Sequence, residues 1–452
     1  MSELQIEMKV TPQEETKEEV KHDNDSPTVP VKPTNADSDK NSPVPVPEEG
    51  GENGTLTPLQ LSINLMKCIA GTGSLAIPYG MWNTGIIIGF VSYIVVSILY
   101  LISAYQLITV FHHSYSVQVK GIKTENDYAR LCYITMGKVG YIIFNVATLF
   151  TLFGLAMGTM IVMTDFLDSL PIPSAHPQLK RFLFQTVLTV VAIVLCLLKD
   201  PSLLVGVSSF GLLALVVSLV ILFIYGVAVY GFTFDASFWF PRKGHILDNL
   251  GVYINSLAFS EMLLSQVKHL RHSYRSQVTR TVSLSALTMA AIYFLIGVIF
   301  LSLYKTDSGV PGNILLAVPG GSVANIIISC LMVVTCIGSF PLYLSPMDEV
   351  IEGQFGPLTA GRYFISNKKA VAFRVGVVIL ISVMAFLFND FKAVLNFIGS
   401  STAILVSDIL PALIHVLFFK KALSTAWIVT DWIIVAVTAV LMVILTDISF
   451  KE

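Results

Sequence analysis

Residues 64–80 read NLMKCIAGTGSLAIPYG, so a lysine, a Gly-Thr-Gly-Ser sequence and a proline lie inside the first apolar stretch of the chain. Glycine and proline both interrupt a helix, and lipid offers no hydrogen bonds to the backbone groups that they release. Those groups must be satisfied by protein, by water in a cavity, or by a bound solute or ion. A broken first membrane helix therefore predicts a site for a transported solute.

The composition indicates a protein that crosses a lipid bilayer many times. Hydrophobic residues make up 54% of the 452 residues and charged residues 13%, against about 25% charged in soluble proteins. Mean hydropathy is +0.73. The formal net charge of −2, without a clustered basic face, argues against a nucleic-acid partner. We find no HExxH motif, metal cluster or nucleophile constellation, so we expect neither an enzyme nor a cofactor beyond a coupling ion.

Apolar stretches long enough to cross a bilayer follow one another from residue 59 onward. We predict an all-α integral membrane protein with about eleven spans. Their approximate bounds are 59–80, 85–111, 139–167, 182–199, 202–231, 247–268, 281–304, 322–345, 370–389, 392–419 and 425–446.

The break in the first of eleven spans suggests two five-helix units of opposite orientation and one extra helix. Repeat one would cover about 58–231, repeat two about 247–420 and the extra helix about 425–446, within a membrane domain over 58–446. Span six should then mirror span one. It carries Asn, Ser and Glu in its apolar run but no Gly or Pro, so its unwinding is less strongly encoded.

Residues 1–57 are rich in Glu, Asp, Lys, Pro, Ser and Thr and almost free of aromatic residues. Such a segment cannot bury enough apolar area to offset its ordering entropy, so we expect a disordered tail. With the N-terminus in the cytosol, the joints on that side hold about twice as many Lys and Arg residues as those on the other side, as the positive-inside rule requires.

Lys67, Glu261 and Asp408 lie within the predicted spans, where a charge is costly and marks a functional position by default. Lys67 and Glu261 lie at similar depths, roughly 10 to 12 Å from the inner surface at 1.5 Å per residue. They could form a gating pair, or Lys67 could snorkel to the surface. Asp408 lies roughly 18 Å deep by the same rise. It could couple an ion or be a buried, hydrogen-bonded neutral acid.

Hydroxyl and amide groups on other spans complete a possible cavity. Asn145 shares a face of span three with Tyr141 and Thr148. Thr335 and Ser339 lie four residues apart on span eight, and their oxygens would suit sodium. Serine and threonine also serve as plain hydrogen-bonding residues between membrane helices, and that alternative stays open.

The segment Leu-Met-Lys67-Cys-Ile-Ala-Gly71-Thr72-Gly73-Ser-Leu-Ala-Ile-Pro78 resembles the first-helix signature of the amino acid/auxin permease family. The likeness is strongest to its proton-coupled amino acid transporter branch. Further regions are similar: Tyr128 to Lys138, the Lys-Asp-Pro turn at residue 199, Ala258-Phe259-Ser-Glu261, and the Gly-Ser-Ser-to-Leu-Pro stretch at 399–411. Glu261 stands one residue later than in that branch, and Asp408 replaces an apolar residue.

This resemblance implies a leucine-transporter-type fold that moves amino acids with protons or sodium by alternating access. It implies that the backbone at Gly71, Thr72, Gly73 and Ser74 meets the substrate carboxylate. It places Ala258, Phe259 and Ser260 near the amino or side-chain end. A half-helix N-terminus exposed at the break gives a physical reason for anion binding.

Two alternatives on the same fold stay open, a channel and a non-transporting amino acid sensor. Plasma membrane and lysosomal or vacuolar membrane both fit the sequence. The residues do not specify the particular amino acid, the coupling ion, the direction of transport or the oligomeric state.

Overall fold

The structure, a computed structural model, describes residues 56–451 except 71, 115–116, 118–125, 174–175, 198–200, 242–246, 248, 306–308, 353–367 and 421. These residues belong to one unit, Asn53–Glu452. The tail predicted over residues 1–57 lies almost entirely outside the described residues.

Helices make up the described chain. The α-helices are α1 Pro58–Ile69, α2 Ile77–Thr84, α3 Ile86–His113, α4 Asp127–Asp168, α5 Pro177–Cys196, α6 Pro201–Val229, α7 Leu250–Leu257, α8 Ser260–Lys268, α9 Val278–Tyr304, α10 Val323–Glu352, α11 Lys368–Leu387, α12 Phe391–Ile398, α13 Leu410–Phe418 and α14 Thr425–Lys451. Short 3₁₀ turns and two π-helical segments lie between some of them. Among the described residues the only strand-like pairing is an isolated parallel bridge between Leu56 and Leu270.

Eight of the described helical stretches are long and apolar enough to cross a membrane. This confirms the all-helical membrane class predicted from composition. Two of the other predicted spans are each divided into two short helices, α1 with α2 and α7 with α8. The predicted span over 202–231 corresponds to α6, in which residues 213–229 form the apolar stretch. The count of eleven and the inverted repeat therefore stay predictions.

The exposed fraction of each span separates central from peripheral helices. In α4, 72% of the most apolar 18-residue stretch is buried inside the protein. In α5, α11 and α14 the corresponding share is 22%. The peripheral helices expose valine, isoleucine, leucine and phenylalanine side chains outward. An apolar outer surface of this kind is stable only against lipid.

A glycine divides α4 into two parts. Gly137 has φ 65° and ψ −154°, a backbone conformation that side chains on other residues disfavour. It separates a first segment, capped by the Asn126 side chain on the amides of Tyr128 and Ala129, from the membrane span.

Glycines also bring helices into backbone contact. A Cβ on Gly399 would overlap the carbonyl oxygen of Gly251 at the start of α7. A Cβ on Gly211 of α6 would lie 3.3 Å from the backbone of Thr335 on α10. Because lipid gives helices no hydrophobic reason to associate, close packing of small residues supplies much of the attraction.

Candidate functional site

The first membrane helix is broken where the sequence predicts it. Helix α1 ends at Ile69, Ala70 has ψ 71°, and a 3₁₀ turn over Thr72–Ala76 leads into α2. Pro78 in the first turn of α2 has no N–H to continue the helix backwards. The freed carbonyl of Ile69 accepts a hydrogen bond from the hydroxyl of Tyr293 on α9, at 2.7 Å. Gly71 and the side chain of Thr72 lie outside the described residues.

The sixth predicted span is also broken, without a glycine or a proline. Helix α7 ends at Leu257, Ala258 is extended (φ −65°, ψ 125°), and α8 begins at Ser260. In a continuous helix the carbonyl of Ile254 would accept from the amide of Ala258. Here that amide bonds to the carbonyl of Asn255 at 3.3 Å. The hydroxyl of Tyr100 on α3 donates to Ile254 instead, at 2.9 Å.

The two breaks adjoin one another. A Cβ on Gly73 would lie 3.4 Å from Cα of Ser256, in the last turn of α7. Ser256 is also hydrogen-bonded to the hydroxyl of Tyr93 on α3, at 3.3 Å. The Tyr253 and Thr84 hydroxyls, 2.8 Å apart, join α7 to α2. The structure therefore brings the predicted Gly73 and Ala258 regions together, and the buried Ser74 and Phe259 lie in the same breaks.

An acidic side chain begins α8. Glu261 lies in the first turn of α8, where the helix dipole favours a negative charge. Its carboxylate lies beside Thr151 on α4, and the Thr151 hydroxyl donates to Thr402 at 2.7 Å. No ion pair joins Glu261 to Lys67 within the described part of the chain. The structure therefore does not show the predicted pair.

Asp408 lies in the second of two π-helical segments, Gly399–Ala403 and Leu405–Ile409. Wide π turns of this kind occur often at functional positions. Asp408 is 3% exposed, and Ser103 on α3 lies beside its carboxyl group. Oδ1 of Asp408 has no hydrogen-bond partner among the described residues.

Two tyrosines lie near both acidic residues. Both Glu261 and Asp408 lie within electrostatic range of the Tyr100 and Tyr128 hydroxyls. Tyr128 donates to the carbonyl of Val406 at 2.5 Å and so satisfies a carbonyl of the second π segment. The breaks, the acidic side chains and the π segments thus form one polar region in the bundle.

The remaining predicted residues lie on neighbouring helices. Asn145 and Thr148 are buried on the face of α4 that carries Thr151, since the three are spaced three residues apart. Oδ1 of Asn145 and the hydroxyls of Thr148 and Ser260 have no partner in the described residues. They are available to a polar ligand.

Thr335 and Ser339 use their hydroxyl hydrogens within the helix packing. The Thr335 hydroxyl is within 3.0 Å of the Gly211 carbonyl on α6 and 2.9 Å of the Leu331 carbonyl. Ser339 donates to the Thr335 carbonyl at 3.1 Å. Thr335 therefore joins α10 to α6, Ser339 bonds within α10, and a sodium site at their oxygens stays a prediction. Among the described residues, no three or more His, Cys, Asp or Glu side chains are grouped so that they could hold a metal ion.

A second buried polar group was missed in the sequence. Gln106 on α3, His415 on α13 and Asp431 on α14 are each at most 2% exposed. Nε2 of Gln106 donates to Oδ1 of Asp431 at 2.8 Å, and Nδ1 of His415 is 2.8 Å from Oδ2. The sequence could have indicated this group, because His415 and Asp431 are ionisable residues inside apolar spans.

The fold and the two adjoining breaks define a multi-span membrane protein with a polar site at interrupted helices. A sequence model of the family described as "Transmembrane amino acid transporter protein" matches residues 54–451. The chain belongs to this family, as the resemblance in the first helix indicated, and it is a transporter and not an enzyme.

Named relatives agree with this assignment. The chain is 22% identical over 414 residues to "Amino acid transporter AVT3C" of Arabidopsis thaliana, covering 86% of this chain and 89% of the relative. It is 24% identical over 181 residues to "Amino acid transporter AVT3A" of the same plant, 40% of each chain. It is 21% identical over 388 residues to "Putative sodium-coupled neutral amino acid transporter 10" of Xenopus laevis, 81% of this chain but 35% of that protein.

Proposed function

We propose that the protein moves a zwitterionic amino acid across its membrane by alternating access, driven by a proton or sodium gradient. The observation that carries this proposal is the contact between the two broken helices, at Gly73 and Ser256. Each break leaves backbone donors and acceptors inside an apolar bundle, where only protein, water or a solute can satisfy them.

The charges around the breaks suit the two ends of an amino acid. The backbone amides of the turn from Gly71 to Ser74 would bind the substrate carboxylate, as free helix-terminal N–H groups do. The ammonium group would point toward Ala258–Ser260, where Glu261 supplies negative charge. The unpartnered Asn145 and Ser260 side chains could then contact the substrate.

The order of the helices supports the inverted-repeat arrangement. The first break falls in the first predicted span and the second in the sixth, at the start of each proposed five-helix unit. In this arrangement α14 is the extra helix and the N-terminus is cytosolic. Glu261, Asp408 and Lys67 are the proposed coupling or gating residues, with Thr335 and Ser339 as the sodium alternative.

Uptake into proteoliposomes tests the proposal. Purified protein would be given labelled amino acids under an inward proton gradient, an inward sodium gradient, both or neither. We expect concentrative uptake under at least one gradient. Binding of an amino acid without uptake under any gradient would contradict transport and favour the sensor.

Uptake with no concentration against a gradient would favour the channel. A variant that leaves the site intact, such as Gly376→Val on the outer helix α11, serves as the control for insertion and folding. Gly376 has open space around its Cβ position, so this change should leave uptake at the level of the unmodified protein.

A further inference from the structure

The trio of Gln106, Asp431 and His415 joins three helices through a buried carboxylate. Both oxygens of Asp431 are hydrogen-bonded, one to Gln106 and one to His415. Asp431 is fully buried and His415 is 2% exposed. Two uncharged partners would leave a lone buried negative charge, which is costly.

That cost makes the pair a binding site for one proton. When His415 carries a proton on each ring nitrogen, the imidazolium and the Asp431 carboxylate together are neutral. When the pair releases this proton, a net negative charge stays in the bundle. The pair can therefore take up or release one proton as its surroundings change, and Gln106 holds the carboxylate in place in both states.

The trio continues toward Asp408 along one face of α3. Ser103 and Gln106 are three residues apart, and therefore on one side of α3. Asp408 and His415 both belong to span ten, Asp408 in the second π segment and His415 on α13. Ser103 lies beside Asp408 and Gln106 bonds to the partner of His415, so this face of α3 adjoins both.

Polar atoms along this seam are left without partners. Oδ1 of Asp408, Oγ of Ser103 and Oε1 of Gln106 are buried and find no hydrogen-bond partner among the residues described. The three side chains are 3%, 0% and 0% exposed. Buried polar atoms of this kind ordinarily bind internal water, and a row of hydrated groups conducts protons. Two rings, Phe419 and Trp427, pack at 5.5 and 5.6 Å from the His415 ring at the far end.

We propose that this seam is a proton pathway between the helix breaks and the C-terminal ends of α3 and α13, with Asp408 at one end and the His415–Asp431 pair at the other. Each step moves one proton between an oxygen or nitrogen and its neighbour, directly or through water, and the new O–H or N–H bond forms as the old one breaks. Under the proposed orientation the His415 end faces the cytosol. The pathway rests on the proposed function and specifies its coupling ion as the proton.

Other titratable groups lie near the seam. They are Tyr100, Tyr105, His112 and His113 on α3, Tyr128 and Cys132 on α4, and Glu261 on α8. Of these, Glu261 lies at the break end and could pass a proton to Asp408. His113 is exposed, and its ring contacts Phe419, so it is a matched control histidine near the same end.

The test compares net proton-driven uptake with exchange of internal for external amino acid, which needs no net proton movement. Proteoliposomes would hold a pH-sensitive dye, and the unmodified protein, His415→Gln, Ser103→Ala and His113→Gln would be measured side by side. Glutamine at 415 can still donate to Asp431 but cannot carry the proton. Because a positioned proton-transfer group contributes about 10²-fold or more, we expect His415→Gln to lose at least about tenfold of proton-driven uptake and dye signal, with exchange within about twofold.

Ser103→Ala removes one uncharged hydroxyl and should also reduce proton-driven uptake relative to exchange. His113→Gln should leave the rates of proton-driven uptake and of exchange unchanged. An unchanged ratio of proton-driven uptake to exchange in both His415→Gln and Ser103→Ala would overturn the pathway. Uptake by the unmodified protein that responds to sodium alone would also overturn it, while leaving the transporter proposal in place. An unmodified protein with neither uptake nor exchange would contradict the proposed function, and the pathway with it.

Discussion

The hydroxyl of Tyr100 satisfies a backbone carbonyl that the break in span six frees. Tyr100→Phe removes its hydrogen bond to the carbonyl of Ile254 and keeps the ring. A buried carbonyl left without a partner costs about 1–3 kcal/mol. The carbonyl can avoid this cost by accepting from the amide of Ala258, which would join α7 and α8 into one continuous helix.

The size of the change in substrate affinity follows from the competition between the broken and the continuous helix. If substrate binds only to the broken conformation, its apparent affinity falls with the fraction of molecules that leave it. A cost of about 1–3 kcal/mol corresponds to a factor of about 5 to 150. We therefore expect the dissociation constant of the transported amino acid to rise in Tyr100→Phe by up to this factor, which is reached when the continuous helix predominates.

Equilibrium binding to purified protein, at constant pH, measures this change. Tyr105→Phe is the matched control, because Tyr105 is on the same helix and 39% exposed. Thermal unfolding of both variants separates loss of the site from loss of the fold. Equal affinity in Tyr100→Phe and the unmodified protein would refute the view that this hydroxyl holds the break open.

Three further substitutions test other parts of the site. Gly73→Ala should retain most transport, because its Cβ would make an ordinary 3.4 Å contact with Ser256. Gly73→Val adds two further methyl groups where the two breaks meet and should abolish uptake. Equal uptake rates in the two variants would show that this contact is not part of the site. Glu261→Gln deletes a titratable group beside Thr151 and should flatten the dependence of uptake on pH. The uptake rate at the optimum pH should fall about tenfold, equivalent to about 1.4 kcal/mol. A pH profile identical to that of the unmodified protein would show that the carboxylate has a structural role. Gly399→Ala would press a methyl group into the Gly251 carbonyl and should destabilise the bundle by about 1–3 kcal/mol; a thermal midpoint equal to that of the unmodified protein, measured against Gly376→Ala, would contradict this packing.

The two breaks show how far sequence reasoning reaches. The first is encoded locally, because the glycines and Pro78 that interrupt the helix stand within it. The second depends on a tyrosine 154 residues away in the chain, which takes over one backbone carbonyl. A pattern within span six cannot reveal that hydroxyl, so the sequence could indicate this break only by analogy with span one.

The depth of a side chain and the direction in which it points need different information. Counting residues gives Lys67 and Glu261 similar depths, but it does not fix the side of the bundle to which each points; Thr151 lies beside Glu261, and the structure does not show the Lys67–Glu261 pair. The π turns around Asp408 shift the direction of every later side chain in span ten. His415 and Asp431 could have been found, because each is an ionisable residue inside an apolar run, only 16 positions apart.

Uptake of labelled amino acid into proteoliposomes, with proton and sodium gradients imposed separately, tests most directly whether the broken helices form a coupled transport site. The unmodified protein should accumulate the amino acid above its external concentration under an inward proton gradient, and Gly73→Val should bind and accumulate none. Accumulation by Gly73→Val at the rate of the unmodified protein, or binding without accumulation by the unmodified protein under every gradient, would contradict the assignment.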